Sequence, residues 1–150
     1  MPTITPFLWF DSQAEEAMNY YLSIFRNSKV LSVNRADGKV LTVAFELEGQ
    51  KLMALNGGPH FKFTEAISLF VNCETQQEVD ELWEKLSQGG EKGRCGWLKD
   101  RFGLWWQIIP SALGKLMNDP DPRKSQAVLQ AMMKMNKIVI KDLERAYAGA

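Results

Sequence analysis

The chain has little of what most catalytic and secretory proteins are built from. It holds two cysteines, Cys73 and Cys95, and a single histidine, His60. Two cysteines are too few for a disulfide framework or a structural zinc site. One histidine means that any Ser-His-Asp or Cys-His arrangement has to pass through His60, in a Gly-Pro loop where a histidine is ordinarily solvated. No cluster of His, Asp and Glu has metal-ligand spacing. Net charge is absent as well. Lys plus Arg and Asp plus Glu both number 18, so no field draws the chain to nucleic acid or to an anionic membrane. No apolar run reaches the roughly 18 residues of a membrane span. The amino-terminal residues lack the basic start of a signal peptide and run into Glu15-Glu16. No glycine-rich loop joins a strand to a helix, as phosphate or S-adenosyl cradles require: Gly57-Gly58 continues into Pro59, and Gly89-Gly90 closes a helix. These absences describe a soluble, reduced, cytoplasmic protein without a standard catalytic kit.

What is present is apolar and aromatic. The 150 residues are 45% hydrophobic and 11% aromatic, enough to fill the core of one domain. Three of the five tryptophans fall within residues 95–110, CGWLKDRFGLWWQIIP. That stretch reads as two short strands, 95–98 and 104–109, reversed at Lys99-Asp100-Arg101-Phe102-Gly103. Side chains alternate along a strand, so Trp105, Gln107 and Ile109 share one face while Leu104, Trp106 and Ile108 share the other. Both faces need cover. Gln107 is the one polar interruption, and its amide is either a satisfied core group or the polar point of a ligand pocket.

The remaining elements repeat. Residues 4–10 form a strand, and Asp11-Ser12 cap a helix whose stripe is Ala14, Ala17, Met18, Tyr21, Leu22 and Phe25. Strands at 30–34, 40–47 and 50–55 are separated by the hairpin signals Ala36-Asp37-Gly38-Lys39 and Glu48-Gly49. After the loop 56–63 the order starts again, with a strand at 67–71, a polar entry at 72–75 and a helix burying Val79, Leu82, Trp83 and Leu86. Glu91 to Trp97 and the tryptophan hairpin follow. Leu8 and Phe10 fall on Leu69 and Val71 at an offset of 61, and Ala17, Tyr21 and Ile24 fall on Val79, Trp83 and Leu86 at an offset of 62. The fold expected is therefore α+β: two βαβββ modules, about 3–58 and 64–110, with mainly antiparallel sheets. A helical tail spans 111–150. In it, 111–117 makes one or two turns, Pro122 starts a helix running to about Lys137, and 141–147 adds a last turn. This methionine-rich tail docks either on its own sheet or on a second subunit.

Three stretches, ITPFLWFDSQAEEAMNYY, LNGGPHFKFTEAISLFVNCETQQEVDELW and GWLKDRFGLWWQIIP, resemble the PhnB-like branch of the glyoxalase/bleomycin-resistance (vicinal oxygen chelate) superfamily, whose members often carry the label demethylubiquinone 3-methyltransferase domain. The tail DPDPRKSQAVLQAMMKM is similar to that branch too. The resemblance implies one such domain over 1–150, two cupped βαβββ sheets and a homodimer. Superfamily metal sites take one His or Glu from each of four strands; those places fall here at Ile4, about Leu52, Ala66 and Gln107, and only Gln107 is able to coordinate. No metal and no cofactor is therefore expected. The candidate pocket residues are Asn56 and Gln107 for orientation, Ser68, Phe70 and Trp105 for the wall, and Trp97 and Phe61 at the mouth, around a small apolar or aromatic molecule. The competing expectation is a superfamily enzyme, a methyltransferase or a lyase/isomerase, using an external cofactor or metal.

Overall fold

The computed structural model describes residues 1–150, and its chain forms two compact units, Met1–Phe63 and Thr64–Ala150. The first unit contains β1 (Phe7–Phe10), α1 (Ala14–Ile24), β2 (Ser28–Ala36), β3 (Lys39–Leu47) and β4 (Gln50–Asn56). Its sheet runs β1-β4-β3-β2, with β1 parallel to β4 and the other pairs antiparallel. Two tight hairpins create the antiparallel part. Asp37-Gly38 and Glu48-Gly49 all have positive φ, 51° and 77°, then 48° and 85°. Turns of that hand match the twist of the flanking strands, which is why an Asx or Glu before glycine reverses the chain here. Leu8, Phe10, Val43, Phe45, Leu47, Leu52 and Ala54 bury one face, and Ala14, Ala17, Met18 and Tyr21 of α1 are buried with them. Each large apolar side chain buried this way contributes roughly 1.5–3 kcal/mol.

The second unit contains β5 (Ser68–Cys73), α2 (Gln76–Ser87), β6 (Glu91–Lys92), β7 (Trp97–Lys99) and β8 (Trp105–Pro110), then α3 (Ser111–Met117), α4 (Pro122–Met133) and α5 (Ile140–Ala148). Its sheet order, β5-β8-β7-β6, repeats the first, again with the first strand parallel to the last. Leu8 lies opposite Ala54 in one unit and Leu69 opposite Trp106 in the other, so the sequence repeat is a structural one. Helix α2 starts in a capping box. Thr75 Oγ1 accepts from the Glu78 N–H, and the Glu78 carboxylate accepts from the Thr75 N–H, both at 3.2 Å.

Four local expectations change. The cap of α1 is not Asp11 or Ser12. Gln13 precedes the helix without a side-chain bond, and Asn56 Oδ1 accepts the Ala14 N–H at 2.8 Å. The parallel pairing sets Phe10 opposite Asn56, which brings the end of β4 to the start of the helix. The first strand is shorter than expected, because only residues from Phe7 onward pair with β4. The hairpin strand begins at Trp97, not Cys95, since Cys95 and Gly96 both take left-handed backbone, φ 57° and 85°. The helix that starts at Pro122 ends at Met133. Beyond it, the carbonyls of Met135 and Asn136 accept the N–H groups of Cys95 and Gly96, each at 2.8 Å, and Ile138 is completely buried. Continued helix would forfeit both.

These contacts also answer where the tail docks: in cis, on its own unit. Gln76 Nε2 donates to the Ile138 carbonyl at 2.9 Å, and Gln76 Oε1 accepts the Ile140 N–H at 2.7 Å, which caps α5. Lys137 pairs with Asp80 at 2.9 Å. Ile109, Leu113, Val128, Ile138 and Leu143 form the core of this part, with Leu116, Met132 and Tyr147 packed around it.

Candidate functional site

The tryptophan hairpin presents different faces to different neighbours. Leu98, Trp106 and Ile108 are buried, as are Val79, Trp83 and Leu86 of α2. The turn is held from inside by Asp100, 1% exposed. Its Oδ1 accepts the N–H groups of Phe102 and Leu104, at 2.9 and 3.0 Å, and its Oδ2 accepts the indole Nε1–H of Trp106 at 2.9 Å. A buried carboxylate is tolerable because donors surround it.

On the opposite face the sheet register places Trp97 and Phe70 on either side of Gln107. Here α3 and α4 come near without sealing the sheet. The result is an open cleft of about 530 Å³, lined by Phe70, Asn72, Cys95, Trp97, Gln107 and Ile109 from the sheet side and by Pro110, Ser111, Leu113, Gly114, Met117, Asn118 and Met132 from the tail. The volume lies within the usual range for small-molecule sites, roughly 300–1,000 Å³. No Asp, Glu, Lys, Arg or His is among the lining residues. The polar groups are the amides of Asn72, Gln107 and Asn118 and the hydroxyl of Ser111. Gln107 Nε2 donates to Ser68 Oγ at 2.9 Å, which leaves Gln107 Oε1 as an acceptor without a partner in the chain. Ser111 Oγ donates to the Glu74 carboxylate at 3.2 Å.

Of the residues singled out from sequence, the structure brings Phe70, Trp97 and Gln107 together in this cleft. Ser68, two residues before Phe70 on the same strand, accepts the hydrogen bond from Gln107. Trp105 packs edge-on against Trp97, ring centres 6.4 Å apart, with the Lys99 ammonium 5.9 Å from its own ring centre. Asn56 and Phe61 belong to the first unit. Both ends of the Asn56 amide are engaged, Oδ1 by the Ala14 N–H and Nδ2 by the Val40 carbonyl at 3.1 Å. Phe61 is 65% exposed and lies edge-on to Trp9, centres 4.9 Å apart, with His60 on the same indole. The tail residues of the cleft were not anticipated. Their signal was the spacing of Ser111, Gly114 and Asn118, which places three small or polar side chains on one face of a helix.

Cys73 and Asp119 are among the groups outside the cleft that titrate away from their usual values. Burial, with Glu78 and Glu74 nearby, pushes the Cys73 thiol up to about 11, so it is an un-ionised core side chain at neutral pH. The hydrogen bond from Tyr147 holds Asp119 below the usual carboxylate range.

Residues 2–109 match the family described as 3-demethylubiquinone-9 3-methyltransferase. The chain belongs to this family. A PhnB protein from Bacillus cereus, bearing the same description, is 36% identical with a TM-score of 0.69, and 73% of this chain covers 100% of it. Similarity in fold extends to a glyoxylase/bleomycin resistance protein/dioxygenase domain from Frankia (17% identity, TM-score 0.50, 73% of this chain on 92% of that one). It extends also to the fosfomycin resistance protein FosX from Listeria monocytogenes, solved with Mn(II) and sulfate (15% identity, TM-score 0.50, 71% on 89%). No curated protein matches the chain. For a family member of this fold the question is whether its residues fit a metal or S-adenosylmethionine. No three His, Cys, Asp or Glu side chains stand together as a metal site would need. Of the positions that the resemblance implies for metal ligands, Leu52 is buried and Ile4 lies outside the sheet. The strand-to-helix links are Asp11-Ser12-Gln13 and Glu74-Thr75, with no glycine to let a phosphate or sulfonium-bearing cofactor approach the backbone. Neither a cluster of three metal-ligating side chains nor a glycine in those two links is present.

Proposed function

We propose that this PhnB-like protein binds a small, neutral, largely aromatic molecule in the cleft of its second unit, without a metal ion. The observation that carries the reading is the cleft lining: aromatic and aliphatic walls, no charged side chain, and the Gln107 amide at the centre with Oε1 to spare. Such a surface favours a planar molecule with one or two hydrogen-bonding groups and disfavours a carboxylate or phosphate, whose desolvation nothing there would offset. We read the functional form as a cytoplasmic homodimer, on the exposed apolar side chains Val30, Leu31 and Leu41 of the first sheet and on two free cysteines.

The test is quenching of tryptophan fluorescence across a set of neutral aromatic metabolites, with Gln107→Leu as the variant. Loss of one neutral hydrogen bond is worth about 0.5–1.5 kcal/mol, up to roughly tenfold in affinity. Weaker binding with a nearly unchanged unfolding midpoint is the expected result. A lowered midpoint with unchanged affinity would make Gln107 a structural amide and remove it from the site. The competing reading, a methyltransferase as the family description says or a glyoxalase-type lyase/isomerase, rests on family membership. Micromolar heats of binding for S-adenosylmethionine, Ni²⁺, Zn²⁺ or Mn²⁺ in titration calorimetry would favour it.

A further inference from the structure

The family match ends at Ile109, yet seven of the thirteen residues lining the cleft, from Pro110 to Met132, lie beyond it. The sheet side is thus common family material and the facing wall is the tail. Within that wall Gly114 stands out. It sits in the middle of α3, where glycine is a poor helix former by about 1 kcal/mol relative to alanine. Neither of the usual structural reasons for a helical glycine applies. Its φ is not positive, and a Cβ built on it meets nothing within 4 Å. By contrast, Gly96 at the other side of the cleft has no such room: its Cβ would lie 2.7 Å from Ile109 Cδ1. A side chain at 114 would meet open space, and Gly114 itself lines the cleft.

We infer that α3 determines which ligand the cleft accepts, with Gly114 keeping the entrance wide enough for a planar, uncharged molecule and Asn118, one turn later, offering it an amide. Asn118 shares the face of Gly114, lines the cleft, and its side chain has no hydrogen-bond partner in the chain. The sheet then supplies Gln107, Trp97 and Phe70 as the common floor, and the tail supplies selectivity. This inference rests on the cleft being the binding site, and the experiment separates the two claims.

The probes are N-phenyl-1-naphthylamine, neutral, and 8-anilinonaphthalene-1-sulfonate, which carries the same rings and a sulfonate. Both are titrated into the full chain and into Gly114→Phe, Gly114→Leu and Gln107→Leu, with urea midpoints measured alongside. The full chain is expected to bind the neutral probe at least about tenfold more tightly than the sulfonate. Gly114→Phe is expected to lose at least about tenfold in affinity for the neutral probe, with a midpoint no lower than that of the parent, since phenylalanine is the better helix former. Gly114→Leu, a smaller plug, is expected to lose affinity in the same direction and carries the test alone if the phenylalanine variant unfolds early. Weakened binding in Gln107→Leu with full affinity in both Gly114 plugs would overturn the role of α3 and leave the cleft reading standing. Affinity unchanged in all variants, equal affinity for the two probes, or no saturable binding of either would overturn the cleft reading and the inference with it.

Discussion

Asp100 is the most exposed to test of all the structural assignments, because one buried carboxylate serves three donors. Replacing it by alanine removes an acceptor from the Phe102 and Leu104 N–H groups and from the indole of Trp106, which is 2% exposed. Hydrogen bonds to charged groups contribute about 1.5–3 kcal/mol each, but three on one side chain do not add in full. A loss of about 3–5 kcal/mol is the reasonable total, a large share of the roughly 5–15 kcal/mol that holds a domain together. Asp100→Asn is the finer probe. If its carbonyl oxygen keeps the two backbone N–H groups, its NH₂ faces the indole N–H, donor against donor. The cost should then be about 1.5–3 kcal/mol, and it should shrink sharply in a Trp106→Phe background, where the opposing donor is gone. Urea unfolding followed by tryptophan emission measures all four members of the cycle, with the denaturant slope checked for constancy. An Asp100→Asn cost under about 0.5 kcal/mol in both backgrounds would refute the view that this carboxylate holds the hairpin.

Two further outcomes are expected. In Gly57→Ala the new methyl would lie 2.3–2.6 Å from carbons of the Trp9 indole, whose Nε1–H donates to the Gly58 carbonyl at 2.9 Å; the ring must move, at about 1–3 kcal/mol, and an unchanged thermal midpoint would contradict the packing described. Cys73 makes stability fall in alkali: the fold favours its neutral thiol, so the contribution is complete below about pH 9 and fades as pH rises toward 11. The loss reaches about 2–3 kcal/mol, visible as a steeper decline of the urea midpoint from pH 8 to 11 in the parent than in Cys73→Ala, and parallel declines would exclude it.

The two sheets were legible from residues alone because their signals are local. Asp37-Gly38 and Glu48-Gly49 dictate reversals through backbone sterics, and the alternation in Val43-Ala44-Phe45 and the stripe through Val79, Trp83 and Leu86 state which faces are buried. The match of Leu8 with Leu69 exposed the repeat, since equal modules bury equal positions. Family membership was legible in the same way, through stretches such as CGWLKD. What no local pattern contained was the partner of each polar group. Asn56 looked like a ligand amide until the parallel pairing of β1 with β4 set it at the start of α1. Asp100 read only as part of the charged turn of the hairpin, and its bond to the Trp106 indole appears only in the fold. Helix propensity carried α4 on to Lys137, but the hydrogen bonds from Cys95 and Gly96, about forty residues earlier in the chain, ended it at Met133. The cleft is of this second kind. Gln107, Gly114 and Asn118 come to line one cleft because Ile138 and Leu143 are buried with the tail against its own unit, and burial between distant segments is a property of the folded chain, not of any window of sequence.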